Sequence, residues 1–246
     1  MVLSFLCPRM RMEAVLSASR FILLCVLLGG LLSGWLFWRG RSPLRASGKT
    51  PRVTVTKQPV NFAGRAFDPD NPPPEMPPLG AGEEAECDSN FLSDANVAGQ
   101  TQKTDATHAF VTITQIKVTL QLNVTIWAPA HATPHVIEHE EGHRQIAEYY
   151  YQTADQLAER IADEYTSQVV EISGTDLEAE SNKALQKIAT EITDEYNKEL
   201  NPGPTQLLYD SITDHGRNEV IVKDAVASAI KNVAAESPRP AATPGN

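Results

Sequence analysis

A stretch of strict apolar–polar alternation, residues 116–126, constrains the fold more than any other feature of the sequence. Successive side chains of a β-strand point to opposite faces, so the alternation predicts a strand with one buried and one polar face. The apolar face consists of Ile116, Val118, Leu120, Leu122, Val124 and Ile126. Residues 110–114 are also strand-like but out of phase, which predicts a bulge or turn near Gln115. A fold with this strand needs a layer that covers one face of a sheet.

Helical patterns follow the strand. Thr133 and Pro134 are typical of a helix start, because Thr can cap the first turn and Pro fits a first position whose N–H needs no partner. Apolar spacing then predicts one long helix to about residue 172, with Gly174 as its terminator.

A second helix should begin at the capping box of residues 175–178 and end at Leu200, before an Asn-Pro-Gly-Pro sequence. Two long helices joined by a short turn predict an antiparallel hairpin. A third helix is expected over about residues 218–233. The pattern as a whole predicts an α+β fold, with a small sheet followed by the helical hairpin.

Composition divides the rest of the chain. Residues 21–38 form an uncharged apolar stretch flanked by Arg, typical of a single transmembrane anchor, with a signal peptide as the alternative. Residues 1–20 would then be a cytoplasmic segment or the leading part of the signal. Pro-rich residues 39–86 predict a flexible linker, residues 87–234 the folded domain, and residues 235–246 a disordered tail.

Charge and cysteine usage exclude some partners and ligands. Residues 1–49 carry seven Lys or Arg and one acidic residue, a net +6, and the whole chain is −10, so the remainder carries −16. An acidic body argues against a nucleic-acid partner. Of the three cysteines only Cys87 lies in the folded domain. A metal site there must therefore use histidines and carboxylates.

The sequence His139-Glu140-Glu141-Gly142-His143 lies on the first predicted helix. Positions i and i+4 share a helix face, so His139 and His143 can direct ring nitrogens at one metal ion. Glu140 would point toward a water molecule on that ion and act as its general base. This H-E-x-x-H spacing is typical of zinc hydrolases, and a solvated helix face with two idle histidines is the alternative.

A third protein ligand is needed, and the hairpin restricts where it comes from. The first helix leads the chain away from the metal and the second returns it, so the segment after Leu200 should lie beside the motif. That segment contains His215, the predicted third ligand, whose second ring nitrogen Asp210 or Asp214 could hold. Asp210 and Glu199 are weaker ligand candidates.

The strand, the "HEEGHR" helix, the long helical hairpin and the segment "YDSITDHG" together resemble a bacterial family of predicted secreted zinc-dependent proteases, domain of unknown function 922. The resemblance covers about residues 85–230. It implies a zincin-like fold, with His139, Glu140 and His143 in the zinc helix and His215 in the later motif. In proteases of the H-E-x-x-H type, a strand edge commonly lies over the cleft, which suits residues 116–127; an ordinary core strand is the alternative for these residues.

The predicted function is hydrolysis of peptide or protein substrates by a Zn²⁺-activated water, with Glu140 as general base and Tyr209 as a hydrogen-bond donor to the oxyanion. The predicted location is the cell membrane, with residues 21–38 as a single span and the domain periplasmic or extracellular, or secretion after signal cleavage. The alternative is a non-catalytic envelope protein with a structural zinc site, whose helical hairpin binds a partner.

Overall fold

The computed structural model describes residues 52–80 and 82–236, which form an α+β fold. The strands are Arg52–Lys57 (β1), Asn61–Phe67 (β2), Glu86–Lys103 (β3), His108–Pro129 (β4) and Val169–Ser173 (β5). The helices are Pro134–Gln152 (α1), Ala154–Tyr165 (α2), Leu177–Glu199 (α3), Gly203–Thr213 (α4) and Val222–Glu236 (α5).

The long strand β4 is the centre of the sheet. β3 pairs with it antiparallel along almost its whole length, while β5, β1 and β2 pair with successive parts of its other edge. The predicted bulge is confirmed: Ala98 pairs with Gln115 and Gly99 with Ile113, so Thr114 is the extra residue. The prediction that residues 116–127 form an edge over the cleft is wrong, because β4 has partners on both sides and β3 is the edge strand.

The alternation of β4 is confirmed, and it builds the core. All six apolar positions from Ile116 to Ile126 are buried, while the residues between them face outward or are half-exposed. Residues from α1, α2 and α3 cover the apolar face, among them Tyr151, Ile161 and Ile192. A second cluster joins α1 to α4 and α5 through Ile146, Tyr209, Ala225, Val226 and Ala229. Helix α1 therefore packs against the sheet on one side and against two helices on the other.

The flexible linker predicted over residues 39–86 is wrong for residues 52–67, which form β1 and β2. Both strands lie parallel to β4, and Val53 and Val55 pack against the core. Backbone pairing with β4 gives order to a segment whose own composition is unfavourable, which local sequence does not reveal.

The single long first helix is also wrong. Thr153 separates α1 from α2, and residues 169–173 form β5 rather than the end of a helix. Helix α4 was missed because Pro202-Gly203-Pro204 was interpreted only as a terminator. Proline also suits the first turn of a helix, and here it begins one. The helix predicted over about residues 218–233 is observed as α5.

In the described part of the chain, no helix is both long and apolar enough to cross a membrane. The predicted single-pass membrane location therefore has no support from the described residues. The predicted span of residues 21–38, the segment before it, and the tail beyond residue 236 lie outside the described residues.

Candidate metal centre

Helix α1 brings the two histidines of the motif together. Thr133 caps the helix by accepting a hydrogen bond from the Val136 N–H (3.3 Å), with Pro134 in the first turn, as predicted. His139 and His143 then lie one turn apart, and their Nε2 atoms are 3.2 Å from each other. His139 is 5% exposed, whereas His143 is partly exposed and lines a cavity.

Helix α4 supplies Asp210, the third residue that approaches His139 and His143. Its Oδ1 lies 2.8 Å from His143 Nε2 and 3.4 Å from His139 Nε2. A hydrogen bond joins only two of these three atoms, whereas one cation can bind the two imidazole nitrogens and the carboxylate oxygen together. A tetrahedral metal with bonds of about 2.0–2.2 Å holds its ligand atoms about 3.3–3.6 Å apart. Two sides of the observed triangle are close to that spacing, and these three residues form a group that could hold a metal ion.

Gln206 orients one of the histidines. Its Oε1 lies 2.6 Å from His143 Nδ1, and its Nε2 donates to the His143 carbonyl (3.1 Å). A proton on Nδ1 leaves the Nε2 lone pair free to face the site, which is how residues behind a metal ligand usually fix its tautomer. Sequence reasoning missed Gln206, although it precedes Asp210 by one helical turn and so shares its face of α4.

Tyr209 is a packing residue rather than the predicted oxyanion donor. Its fully buried hydroxyl donates to the His139 carbonyl (3.0 Å). Its ring stacks on the His139 ring, with centroids 5.1 Å apart, and meets the His143 ring edge-on at 4.9 Å. Burial raises the pKa of the phenol far above its usual value, and Glu140 adds to the shift. This side chain therefore positions both imidazoles and has no free O–H to offer a substrate.

The packing of Tyr209 also explains the glycine inside the motif. A Cβ at Gly142 would lie 2.1 Å from Tyr209 Oη and 2.4 Å from its Cζ, closer than two such atoms can approach. Only a residue without a side chain lets α4 come this near to α1. Gly142 thus allows Asp210 to reach the two histidines.

His215 does not join the two histidines as predicted. It lies in a turn after α4 in which Asp214, His215 and Gly216 all have positive φ. Its Nδ1 is 3.4 Å from Glu83 Oε1, and the group it forms is with Glu83 and Asp210. Gly216 is required at its position, because φ is +72° and a Cβ would lie 2.9 Å from the His139 ring.

Of the other carboxylates considered at this site, two have different partners and one reaches the histidines. Asp214, proposed as its hydrogen-bond partner, pairs instead with Arg217 at 2.7 Å. Glu199, a weaker ligand candidate, forms an ion pair with Arg160 on α2. Asp210, the other weaker candidate, is the carboxylate that reaches His139 and His143. The sequence ranked Asp210 and Glu199 together below His215, because it did not show helix α4, which carries Asp210.

Carboxylates line the small cavity that opens beside the metal group. Its volume is about 210 Å³, and its wall includes Glu83, Glu86, Glu140, His143 and Asp210. Glu83 lies in the loop before β3 and Glu86 is the first residue of β3, so this edge strand borders the site. Glu140 is 4% exposed, and it lines this cavity.

The environment of the cavity raises the pKa values of two of its carboxyl groups, Glu140 and Glu86. Burial raises the pKa of Glu140 to about 7; nearby His143 opposes this shift, and Glu86 and Glu83 add to it. Burial and the charge of Glu83 raise the pKa of Glu86 to about 6. A carboxyl group whose pKa is near 7 can accept and release a proton at neutral pH, which is what a general base requires.

Asp210 and His143 behave as a charged pair in the absence of a cation. Burial acts to raise the pKa of Asp210, but hydrogen bonds from His139 and His143 outweigh it and lower the pKa well below its usual range. Burial likewise acts to lower the pKa of His143, and Asp210 outweighs it. Asp210 thus stays ionised, in the form that binds metal.

Compared with protein-family models, with curated proteins and with solved structures, the chain matches none of them. The resemblance to the predicted zinc-protease family therefore stays a prediction that rests on the motifs alone.

Proposed function

We propose that the protein is a zinc-dependent hydrolase of peptide bonds with a zincin-like active site, in which His139, His143 and Asp210 hold the metal. The observation that carries this proposal is the convergence of their three ligand atoms, with spacings of 2.8, 3.2 and 3.4 Å. Two imidazoles and one carboxylate are a typical ligand set for catalytic zinc, which keeps its fourth position open. A bound zinc ion would polarise a substrate carbonyl and lower the pKa of a water in that position.

Glu140 is the general base in this proposal. It follows the first ligand in sequence, and it lines the cavity next to His143. Its carboxylate would take a proton from water as the oxygen attacks the carbonyl carbon. It would then pass that proton to the amide nitrogen as the C–N bond breaks, so that the base is regenerated. The raised pKa of Glu140 fits both halves of this proton transfer.

The edge strand favours an extended peptide as the substrate. Among the described strands, β3 pairs only with β4, so the N–H and C=O groups of its other edge have no strand partner. Glu86, Cys87 and Ser89 at the start of β3 line the cavity. An extended peptide that adds to this edge by main-chain hydrogen bonds would carry one of its carbonyl groups toward the metal.

The test compares Glu140→Gln with Glu138→Gln in the full-length protein. Glu138 is exposed on the same helix, so its substitution controls for loss of one charge. Glu140→Gln should keep the zinc content of the wild type and lower cleavage of an unstructured protein by about 10²-fold or more, the usual contribution of a general base. Glu138→Gln should keep both.

A non-catalytic zinc-stabilised protein is the second candidate, and the deep burial of the ligands favours it. The side chains of His139, His143 and Asp210 are only 6%, 14% and 13% exposed, as in a closed structural site. If the protein binds zinc but cleaves no peptide in a broad pool, this second candidate is supported and the hydrolase is not. Cleavage that survives Glu140→Gln unchanged would contradict the mechanism.

A further inference from the structure

Next to the metal group lies a second cluster of ligand atoms, formed by Glu83, Asp210 and His215. Their ligand atoms all lie within 4.8 Å of one another, and they come from the loop before β3, from α4 and from the turn after α4. The Gly80 N–H donates to Glu83 Oε2 (2.8 Å), which leaves Oε1 to face His215 Nδ1 at 3.4 Å. Asp210 belongs to both groups.

The contacts of His215 are not those of an ordinary ion pair. Its Nδ1 is buried but has no hydrogen-bond partner among the described residues. A charge-assisted hydrogen bond would bring Nδ1 and Oε1 to about 2.7–2.9 Å. The observed 3.4 Å is instead the spacing of two ligands on one cation with bonds of about 2.0–2.2 Å.

The charge of the cavity also calls for more than one divalent cation. Glu83, Glu86, Glu140 and Asp210 line it, and none of the residues that line it is Lys or Arg. Carboxylates brought together in a buried cavity are unfavourable unless a cation neutralises them. When all four carboxylates are ionised, one divalent ion leaves half of their charge uncompensated, and two ions balance it.

We propose that a second divalent cation binds beside the first, held by Glu83 and His215 and sharing the Asp210 carboxylate as a bridge. This inference rests on the proposed function, because Asp210 must also bind the first ion. Two-metal hydrolytic sites hold their ions about 3.5–4 Å apart, a distance that one bridging carboxylate can span. The third ligand predicted from the sequence, His215, would thus serve the second ion.

The experiment measures zinc stoichiometry by equilibrium dialysis and elemental analysis of the full-length, chelator-stripped protein. Wild type should bind two zinc ions per chain. Glu83→Gln and His215→Ala should each bind one, and Asp210→Ala should bind fewer than one. His135→Ala, an exposed histidine on α1 outside both groups, is the matched control and should bind two.

Manganese gives an independent measurement of the same arrangement. Two Mn²⁺ ions bridged by one carboxylate should give the broadened electron paramagnetic resonance spectrum of a coupled pair, and Glu83→Gln should convert it to the spectrum of an isolated ion. Circular dichroism of each stripped variant shows that it is folded. Since Glu83→Gln preserves side-chain size, it remains informative even if His215→Ala unfolds.

The outcomes separate this inference from the proposed function. One ion in wild type that Glu83→Gln and His215→Ala both retain would show that the second site does not exist. One ion in wild type that is lost in His215→Ala would make His215 a ligand of the first ion and would also overturn the inference. No ion in wild type would overturn the proposed function itself.

Discussion

The two halves of helix α1 differ in the side chains that they bury and in the partners that those side chains have. The second half is apolar: Ile146 and Ala147 are fully buried, and the buried Tyr151 hydroxyl donates to the Gln58 carbonyl at 2.9 Å. The first half buries His139 and Glu140, and His139 Nδ1 has no hydrogen-bond partner among the described residues. One half therefore gains stability by burial, while the other half is costly to bury without a further partner.

The difference indicates that the two halves have different roles. Between α1 and β4 the core consists of apolar side chains that lose water and pack against each other, so it favours folding whether or not a metal ion is bound. The site between α1, α4 and the start of β3 concentrates carboxylates and imidazoles, and the lining contains more carboxylates than His143 can balance. We expect folding to depend on the first region and metal binding on the second, and the predictions below test that separation.

The largest effect should come from the core. Leu120 is fully buried at the centre of β4, so Leu120→Ala removes apolar contacts and leaves a cavity. We expect unfolding free energy to fall by about 2–5 kcal/mol, measured by chemical denaturation. The folded fraction should bind zinc with the stoichiometry of the wild type. Loss of zinc from folded Leu120→Ala would show that the two regions are coupled.

Metal should stabilise the folded protein through the site alone. Zinc at a hundred times its dissociation constant should add about 2.7 kcal/mol to the unfolding free energy, because it binds the folded state preferentially. Asp210→Asn removes the carboxylate that faces both histidines, so zinc should stabilise this variant far less. Equal stabilisation of wild type and Asp210→Asn would place the metal elsewhere.

The close contact between α1 and α4 is tested at Gly142. Alanine normally favours a helix, yet here its Cβ would lie 2.1 Å from Tyr209 Oη, so Gly142→Ala should lower the unfolding free energy by about 1–3 kcal/mol. It should also weaken zinc binding, since α4 carries Asp210. Gly64→Ala is the control, because no atom lies within 4 Å of the added Cβ. A Gly142→Ala protein as stable as wild type would show that the helices can separate at no cost.

The smallest effect concerns pH. Burial and Glu83 raise the pKa of Glu86 from 4.5 to about 6, so ionising Glu86 opposes folding. The metal-free protein should therefore lose stability as pH rises from about 4.5 through about 6. Glu86→Gln removes this loss because the amide does not ionise. The melting temperature of the variant minus that of wild type should therefore be larger above pH 6 than at pH 4.5. With zinc bound, the advantage of the variant should shrink, because the cation stabilises the carboxylate. A pH-independent difference between the two proteins would contradict this account.

Local pattern predicted the parts of the fold that depend on neighbours in sequence. The alternation of residues 116–126, the bulge near Gln115, the cap at Thr133 and the approach of His139 to His143 are all observed. Each depends on the period of a strand or a helix, which the order of residues fixes. Strand β3 was missed because its apolar residues are few and mostly small, and β1 was missed because Pro-rich surroundings obscured it.

The sequence by itself determined that two histidines share a helix face, and that a carboxylate adjoins them at Glu140. Only the tertiary structure decided which later residue meets them. Asp210 and His215 are near in sequence, but helix α4 directs the first toward His139 and His143, while the left-handed turn after it carries the second toward Glu83. Helix and strand periods act over a few residues, whereas this choice depends on how closely α4 approaches α1, which Gly142 and the buried ring of Tyr209 fix.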